Sequence, residues 1–345
     1  MHKITVIGKF IGTATAADGQ SIKTRIITRE LEKALDANNV HRIDTFGWKK
    51  NPLKLFLNTF SAVQKSANVV FMTDAGGIKV FPWLLLASNV FSRAALHYVV
   101  VGGWLVGYLK SHRLIAGCLK RFRGIYVETQ VMKTGLESLG FQNVVLMPNF
   151  KDLTVLPEED MVFCGEPYKL CTFSRVMEEK GIADAARAVI DVNRHYNRTV
   201  CTLDIYGQVD PRQTDWFECL CSSFPAEVRY CGIIPYEQSV DVIRQYHMLL
   251  FPTKFYTEGI PGTIIDAYAA GVPVLASRWE SFGNVIDDGK TGFGYPWAET
   301  DALRSHLIAL MADPAQVYHM KKHCLQKATE YLPGSVMNVL LTRLS

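Results

Sequence analysis

The sequence predicts an α/β protein made of two Rossmann-like domains. Its 345 residues exceed one ordinary domain and suit two domains of about 150–200 residues each. Short apolar segments that lead into helical patterns recur in both halves, first at residues 3–8 and again from residues 168–173. Such alternation is typical of βαβ units and parallel sheets. Between the two series, residues 151–166 are acidic and lack clear periodicity, so they predict a linker.

The first domain is predicted to span residues 1–150. Its strands are expected at residues 3–8, 68–72, 95–101, 124–127 and 144–147. Its helices are expected at residues 21–37, near residues 81–91, and after residue 129 as far as residue 139. The loop after the first strand contains Gly8 and Gly12 but lacks the G-x-G-x-x-G spacing of a dinucleotide-binding loop. His97 lies inside a strand, where a hydrogen-bonded core histidine is a commoner role than a catalytic one.

The second domain is predicted to span residues 167–330. Its strands are expected at residues 168–173, 200–206, 228–232, 247–252 and 274–277, and its helices at residues 182–196, up to 245, 263–270, 301–311 and from 316 onward. Gly271 and Pro273 end the helix at residues 263–270, because glycine accepts a left-handed C-cap and proline cannot continue a helix.

The loop and helix at residues 253–270 carry two acids. Glu258 lies in the loop, and Asp266 lies about one turn into the helix. In parallel α/β sheets, ligands bind where strands end and helices begin, and the free N–H groups of a helix N-terminus attract anions. A loop carboxylate can accept hydrogen bonds from sugar hydroxyls, and a helix carboxylate can bind a ribose. The pattern favours a sugar-nucleotide site. The alternative is that Glu258 is only a charge at a helix end and Asp266 is only a solvated side chain.

Glu258 and Asp266 are separated by seven residues, and this spacing resembles the E-x7-E motif of retaining GT-B glycosyltransferases of family 4. The phrases EGIPG at residues 258–262 and AYAAGVPV at residues 267–274 resemble the donor-site signature of that family, with a weaker similarity over nearly the whole chain. One departure is that Asp266 stands where the family has glutamate.

The resemblance implies a GT-B architecture, in which two Rossmann-like domains face an interdomain cleft. It implies transfer of a sugar from a nucleotide diphosphate sugar, a UDP-sugar in particular, to a hydroxyl of a glycan or lipid-linked acceptor, with retained anomeric configuration. The expected role is cell-surface polysaccharide synthesis, and no metal or cofactor is implied. Residues 331–345 are expected to return to the first domain.

The resemblance also implies roles for individual residues. Arg175 and Lys180 have the R-x4-K spacing of the family's diphosphate clamp, although on their own they could be solvated cations. The expected catalytic residues are Glu258, Arg175 and Lys180. The expected donor-binding residues are Asp266, Gly259, Ile260, Gly262, Thr263, Gly207, Cys231 and Ile233. The expected acceptor-side residues of the cleft are Gly12, Gly19, Gln20, His97, Gly102 and Gly103.

Two alternatives to this activity stay open. One is another GT-B reaction such as nucleotide-sugar epimerisation, and the other is a non-catalytic module that binds a sugar nucleotide. The presence of Arg175, Lys180 and Glu258 argues against a non-catalytic module, whereas Asp266 leaves some room for it.

Composition and charge indicate a cytoplasmic protein with an anionic partner. The eight cysteines include no C-x2-C pair, which favours reduced thiols over structural zinc. No signal-peptide pattern precedes the first strand, and the longest apolar run, residues 94–106, is too short to span a bilayer. Residues 1–150 carry 19 Lys and Arg against 8 Asp and Glu, whereas the rest of the chain has a net charge of −7. A nucleic-acid recognition motif is absent, so a membrane surface is the favoured anionic partner.

Residues 104–123, WLVGYLKSHRLIAGCLKRFR, are the predicted membrane contact. Their apolar residues fall at helical spacing, and five basic residues occur with no acid between them. Such a helix can lie on an anionic bilayer, with Lys120, Arg121 and Arg123 at the lipid surface. The alternative is an amphipathic helix packed on the first sheet with its basic side in water.

Overall fold

The computed structural model describes residues 2–10 and 19–344. The chain divides into two units, one comprising Met1–Asp152 and Pro333–Ser345 and the other comprising Leu153–Leu332. Within the described residues, no helix combines the length and the apolar character that crossing a membrane requires.

The first unit contains a six-stranded sheet in which every pair of neighbouring strands is parallel. Its strands are β1 (His2–Gly8), β2 (Val40–Asp44), β3 (Ser66–Phe71), β4 (Ala95–Val99), β5 (Gly124–Val127) and β6 (Val144–Leu146). Its helices are α1 (Gly19–Leu35), α2 (Pro52–Gln64), α3 (Phe81–Ser88), α4 (Leu105–Ser111), α5 (Arg113–Leu119) and α6 (Gln130–Ser138). The strand order is β2-β1-β3-β4-β5-β6, so the direction of winding reverses between β1 and β3.

The second unit repeats this architecture with a second six-stranded parallel sheet. Its strands are β7 (Tyr168–Phe173), β8 (Cys201–Tyr206), β9 (Val228–Gly232), β10 (Met248–Phe251), β11 (Val274–Ser277) and β12 (Gly292–Tyr295). Its helices are α7 (Ile182–Tyr196), α8 (Thr214–Ser222), α9 (Ser239–Ile243), α10 (Gly262–Ala269), α11 (Phe282–Val285), α12 (Thr300–Ala312) and α13 (Ala315–Ala328). The order β12-β11-β10-β7-β8-β9 places the reversal between β7 and β10.

The predicted α/β class is confirmed, and a strand occupies each of the ten predicted strand positions. The sequence did not predict β2 and β12, which lie at the edges of the two sheets, or the helices α2 and α8.

Residues 151–166, the predicted linker, belong for the most part to the second unit. Leu153, Val155 and Leu156 pack against its core, and the Leu156 N–H donates a hydrogen bond of 2.9 Å to the Ala269 carbonyl. The acidic stretch is therefore anchored to the second unit by its apolar residues.

The end of the chain belongs to the first unit. It forms the short helices α14 (Pro333–Val336) and α15 (Asn338–Leu341). Val336, Met337 and Leu340 are buried in the same apolar cluster as Ile4 and Val6 of β1. Burial of these three side chains is what attaches the chain end to this sheet.

The predicted membrane stretch, residues 104–123, forms α4 and α5 instead of one surface helix. Leu105, Leu109, Ile115 and Leu119 are buried in the apolar core of the first unit. Because these side chains face the core, they are not free to enter a bilayer. The apolar side of this stretch is therefore packed as in the amphipathic alternative, and contact of its basic residues with a membrane stays a prediction.

His97 is fully buried in β4, and both ring nitrogens have partners. Nδ1 lies 3.0 Å from the Tyr126 hydroxyl and Nε2 lies 3.2 Å from Asn68 Oδ1. Burial, together with the positive charges of Arg123 and Arg343, lowers the pKa of His97 to about 4. His97 is thus a core histidine, and the expectation that it faces an acceptor is corrected.

His247 is a second buried histidine, and it predicts an acid-sensitive second unit. Neither ring nitrogen has a hydrogen-bond partner among the described residues, and the ring packs against Tyr168 and Tyr318. Burial and the charge of Lys321 lower the pKa of His247 to about 4. Since the unfolded state takes up this proton near pH 6.5, the stabilising contribution is present above that pH and is lost as the pH falls toward 4.

Between pH 7.5 and pH 5, protonation of His247 should lower the free energy of unfolding of the wild-type protein by about 2 kcal/mol. We expect His247→Phe to abolish this loss. Phenylalanine keeps the ring contacts and removes the unpartnered nitrogens, so stability at pH 7.5 should be retained or raised. Urea unfolding at both pH values measures the difference. The exposed His195, replaced in the same way, is the control. An unchanged pH dependence in His247→Phe would contradict the assignment.

Candidate active site

The candidate site of the second unit lies where its strand order reverses. Strands β7 and β10 are parallel neighbours, but the helices that follow them contribute to different apolar clusters, α7 to one and α10 to the other. The loops after β7 and β10 thus lie at the switch point of the sheet, where parallel α/β sheets form their ligand-binding crevice. Two predicted catalytic residues, Lys180 and Glu258, lie in these two loops.

Lys180 and Glu258 form an ion pair, in which Lys180 Nζ donates to Glu258 Oε1. Both side chains are 17% exposed, so the pair is accessible but largely shielded from water. The hydroxyl of Thr253 also donates to Glu258 Oε1, at 3.1 Å. The ammonium of Lys180 lies 5.2 Å from the ring centre of Phe255, which adds a cation–π contact. The structure thus brings together an acid and a cation that are 78 residues apart in the sequence.

Backbone contacts fix the two loops side by side. The Lys254 N–H donates a hydrogen bond of 2.8 Å to the Glu179 carbonyl. Gly181 has a φ of 71°, and a β-carbon at this position would lie 2.0 Å from the Pro252 carbonyl oxygen. Only glycine permits this close approach. The short 3₁₀ helix Glu178–Lys180 is therefore held against the start of the β10–α10 loop.

Arg175, the third predicted catalytic residue, faces a different carboxylate. Its Nη1 lies 3.8 Å from Asp210 Oδ2, and its side chain is 51% exposed. Asp210 is buried and also accepts two hydrogen bonds from the Arg212 guanidinium, at 2.9 and 3.0 Å. These bonds, with the charge of Arg175 as a smaller cause, hold the pKa of Asp210 well below its usual range. The ion pair of Arg175 with Asp210 is therefore long, and the Arg175 guanidinium remains accessible to an anion.

The N-terminus of α10 follows the Glu258 loop directly. Gly262 is the first residue of the helix, and the buried hydroxyl of Thr263 has no hydrogen-bond partner among the described residues. Asp266 is only 3% exposed. Gly259 and Ile260 are buried in the loop. A helix start can bond an anion through its first N–H groups, although here the Ile264 N–H already donates to the Pro261 carbonyl at 3.0 Å. Anion binding at this helix start and the ribose role of Asp266 stay predictions.

Gly207, Cys231 and Ile233 lie together at the ends of β8 and β9. The Gly207 N–H donates a hydrogen bond of 2.9 Å to the Gly232 carbonyl. Gly207 has a φ of 134°, and the nearby Ser174 carbonyl leaves no space for a side chain at this position. Ile233 is 47% exposed and Cys231 is half-buried. The arrangement offers backbone groups and an exposed apolar side chain, which suits a nucleotide base, but the assignment stays a prediction.

A hydrogen-bonded network supports this corner. The Tyr246 hydroxyl donates to Asp204 Oδ2 at 2.8 Å and lies 2.7 Å from the Tyr206 hydroxyl. Arg229 donates two bonds of 2.9 Å to the same carboxylate. Burial is the main cause that raises the pKa of Tyr246 far above its usual range. The network fixes the strand ends that carry Gly207 and Cys231.

The acceptor-side predictions fall in the first unit, and their role in binding an acceptor stays a prediction. Gly12 lies outside the described residues. Gly19 begins α1, and Gln20 Nε2 donates to the Met72 carbonyl at 3.4 Å. Gly102 and Gly103 follow β4, and the Gly102 N–H donates to Glu128 Oε1 at 3.3 Å.

Glu128 also forms a buried ion pair of 2.8 Å with Lys23, and both side chains are 2% exposed. Lys23 Nζ donates a further bond of 3.2 Å to the Val100 carbonyl. This pair ties α1 to the carboxyl ends of β4 and β5, so it positions the backbone at Gly102. In the part of the chain that the structure describes, no group of three or more His, Cys, Asp and Glu side chains is arranged to hold a metal.

Sequence reasoning missed three residues that shape the site. Thr253 is buried and bonds Glu258, Asp210 faces Arg175, and Gln213 bridges two loops. The Gln213 side chain accepts from the Glu178 N–H at 2.7 Å and donates to Glu179 Oε2 at 2.8 Å, and this second bond is the main cause of a lowered pKa at Glu179. Thr253 could have been identified from the sequence, because it directly follows a predicted strand. No sequence pattern pointed to Asp210 or Gln213.

Comparisons with known proteins match the second unit in sequence and the chain in fold. Residues 167–313 match the family model described as glycosyl transferases group 1. A glycogen synthase of Mycobacterium tuberculosis is 23% identical over 165 residues, which cover 47% of this chain and 38% of the relative. The amylovoran biosynthesis glycosyltransferase AmsK of Erwinia amylovora is 23% identical over 162 residues, which cover 44% of this chain and 38% of the relative. The chain thus spans about two fifths of the length of these relatives.

Solved structures match over nearly the whole chain. Sucrose-phosphate synthase from Thermosynechococcus elongatus has a TM-score of 0.78 at 16% identity, covering 100% of this chain and 99% of that one. HepE of Anabaena, in complex with UDP and glucose, has a TM-score of 0.73 at 14% identity, covering 99% and 98%. At such identities the likeness establishes the fold alone. The chain therefore has the GT-B fold, and its second unit carries the match to the glycosyl transferases group 1.

Proposed function

We propose that the protein is a retaining glycosyltransferase that moves a sugar from a UDP-sugar to a hydroxyl of a glycan or lipid-linked acceptor. The observation that carries this proposal is the Lys180–Glu258 pair in the crevice between β7 and β10, beside the start of α10. The family match supports sugar transfer. The UDP bound in HepE favours a uridine donor, and the synthesis named for AmsK favours a role in cell-surface polysaccharide.

In this proposal the cations of the site act on the leaving group. Lys180 and Arg175 neutralise charge that develops on the departing diphosphate, and the N-terminus of α10 adds its positive end. Glu258 orients the donor sugar, and Asp266 binds the ribose. The family resemblance implies that the leaving phosphate accepts the acceptor proton on the same face of the sugar. Retention then needs no separate general base.

The test is to incubate the purified protein with radiolabelled nucleotide sugars and with glycan and lipid-linked acceptors. A labelled sugar joined to an acceptor, with an unchanged anomeric configuration, supports the proposal. An epimerised donor would favour the GT-B epimerase alternative, and binding without any product would favour a non-catalytic sugar-nucleotide module. A screen of donor-induced thermal shifts would first identify the nucleotide sugar that binds.

We expect full activity in excess chelator. The proposed clamp uses the side chains of Lys180 and Arg175, where a metal-dependent transferase uses a divalent cation to hold the diphosphate. Initial rates measured with EDTA and with added Mn²⁺ should agree within about twofold. Strict dependence on added Mn²⁺ would contradict the phosphate-clamp mechanism.

We further propose that the protein acts in the cytoplasm and attaches peripherally to the cytoplasmic face of a membrane. The +11 charge of residues 1–150 supports this location, because basic residues are attracted to anionic lipid. A lipid-linked acceptor would lie on the same surface.

A further inference from the structure

Helix α2 of the first unit exposes an apolar face to solvent. Leu53, Phe56, Leu57 and Phe60 are between 39% and 70% exposed. Their spacing of three and four residues places them on one side of the helix. The opposite part of α2 is already packed against the first unit through residues such as Ala62, which is buried. Burial against this unit therefore does not explain why the outer side of α2 is apolar.

Helix α3 lies beside α2 and continues the apolar surface. Val80 and Trp83 are 43% and 47% exposed, and a groove of about 620 Å³ between the two helices is lined by apolar side chains that include Leu55 and Leu84. We call the exposed residues Leu53, Phe56, Leu57, Phe60, Val80 and Trp83 the α2–α3 surface. A contiguous exposed patch of large apolar side chains marks an interaction site.

The surroundings of the α2–α3 surface are cationic. Residues 45–94 contain six Lys and Arg and one acid, Asp74. The exposed lysines within or next to the two helices in sequence are Lys49, Lys50, Lys54, Lys65 and Lys79. The carboxylate of Asp74 accepts hydrogen bonds of 3.0 and 2.9 Å from the N–H groups of Gly76 and Gly77, so it closes a turn of its own. The sequence around the α2–α3 surface is thus predominantly cationic.

We propose that the α2–α3 surface docks the first unit on an anionic lipid bilayer. This inference rests on the proposed peripheral attachment and names the surface that makes it, in place of residues 104–123. The apolar and aromatic side chains enter the headgroup boundary, and the flanking lysines contact anionic headgroups. A helix with an exposed apolar side, aromatic residues and lysines at its edge has the composition of helices that lie in a membrane interface.

The charge around this surface favours lipid over a second copy of the chain. A symmetric dimer through this surface would place the same patch on both partners and bring the two sets of lysines together. Like charges facing each other across an interface oppose association. An anionic bilayer instead supplies the opposite charge, while its interior accepts the apolar side chains.

The test is co-sedimentation of the full chain with vesicles of phosphatidylcholine, with and without 30% phosphatidylglycerol, at about 50 and 500 mM salt. We expect binding to the anionic vesicles that weakens at high salt. Leu53→Gln/Phe56→Gln/Leu57→Gln should lower partitioning at least tenfold, and these side chains are exposed, so the fold is retained. Lys49→Ser/Lys50→Ser/Lys54→Ser should lower partitioning on the order of a hundredfold.

The charge-matched control is Lys120→Ser/Arg121→Ser/Arg123→Ser, which removes three cations of the same unit elsewhere. Partitioning that falls equally in both triple cation variants would overturn the proposal, because net charge alone would then explain binding. So would equal binding to neutral and anionic vesicles. A dimer seen by light scattering that the glutamine variant dissociates, without vesicle binding, would assign the surface to a protein interface and also overturn it.

Failure of docking and failure of the proposed function are distinguishable. The vesicle assay contains no nucleotide sugar, and the α2–α3 surface contains none of the proposed catalytic or donor-binding residues. Loss of vesicle binding with retained transfer to a soluble acceptor separates docking from chemistry. Retained vesicle binding with no transfer from any nucleotide sugar would reject the transferase assignment and leave the docking surface standing.

Discussion

Glu258→Gln should lower turnover by about 10²–10³-fold while the affinity for free nucleoside diphosphate is unchanged or raised. Glutamine keeps the side-chain length and an oxygen that can accept from Lys180 and Thr253, so the loop should keep its conformation. In the proposed mechanism, the variant removes a negative charge beside the donor sugar, on which positive charge develops in the transition state. It also frees Lys180 from its counter-ion, and the diphosphate gains a more available cation.

The measurement is kcat from initial rates together with the Kd for UDP from calorimetry on the same preparation. Asp266→Asn is the comparison, because it neutralises the second acid of the motif without emptying a site that is 3% exposed. We expect it to weaken UDP binding more than it lowers kcat, the opposite profile to Glu258→Gln. Near-normal turnover in Glu258→Gln would remove this residue from the catalytic group.

The architecture was predictable because central strands of a parallel sheet are buried on both sides. Segments such as β5 and β10 therefore read as continuous apolar runs. The two unpredicted strands are edge strands, which need less apolar sequence. Strand β2 contains His41 and Arg42, and β12 contains Gly292 and Gly294, which resemble a turn.

The contacts within the site were only partly predictable. Glu258 and Lys180 follow predicted strands, and strands adjacent in a parallel sheet bring their loops together at one edge. The pairing of Arg175 with Asp210 depends on how the loops after β7 and β8 pack, including the approach of Gly207 to the Ser174 carbonyl. No spacing in the sequence encodes that approach.

The choice of a segment for membrane contact shows a different limit. Helical spacing of apolar residues occurs in residues 104–123 and in α2 alike, and it does not distinguish a face buried in the protein from a face buried in lipid. Leu105 and Leu119 face the core, whereas Leu53 and Leu57 face solvent. The tertiary packing decides between the two, and only the structure supplies it.

Lys180→Met should cost about 2–4 kcal/mol of transition-state stabilisation, the range for loss of one preorganised electrostatic group. Methionine keeps an unbranched side chain beside Phe251 and Phe255 while it removes the ammonium that lies over their rings. Unlike Glu258→Gln, it should also weaken UDP binding, because the cation is proposed to contact the diphosphate itself. Opposite signs of the change in UDP affinity in the two variants would therefore separate the roles of the two members of the ion pair.

Arg175→Ala should act in the same direction as Lys180→Met, and Arg212→Ala is its matched control. Both arginines are exposed and both lie near Asp210, yet only Arg175 is proposed to reach the diphosphate. Each substitution leaves Asp210 with the other arginine, so a fall in kcat/KM confined to Arg175→Ala must come from the ligand. Equal, near-wild-type kinetics in the two arginine variants would make Arg175 a surface cation. Unchanged UDP affinity and turnover in Lys180→Met as well would mean that the diphosphate is held elsewhere.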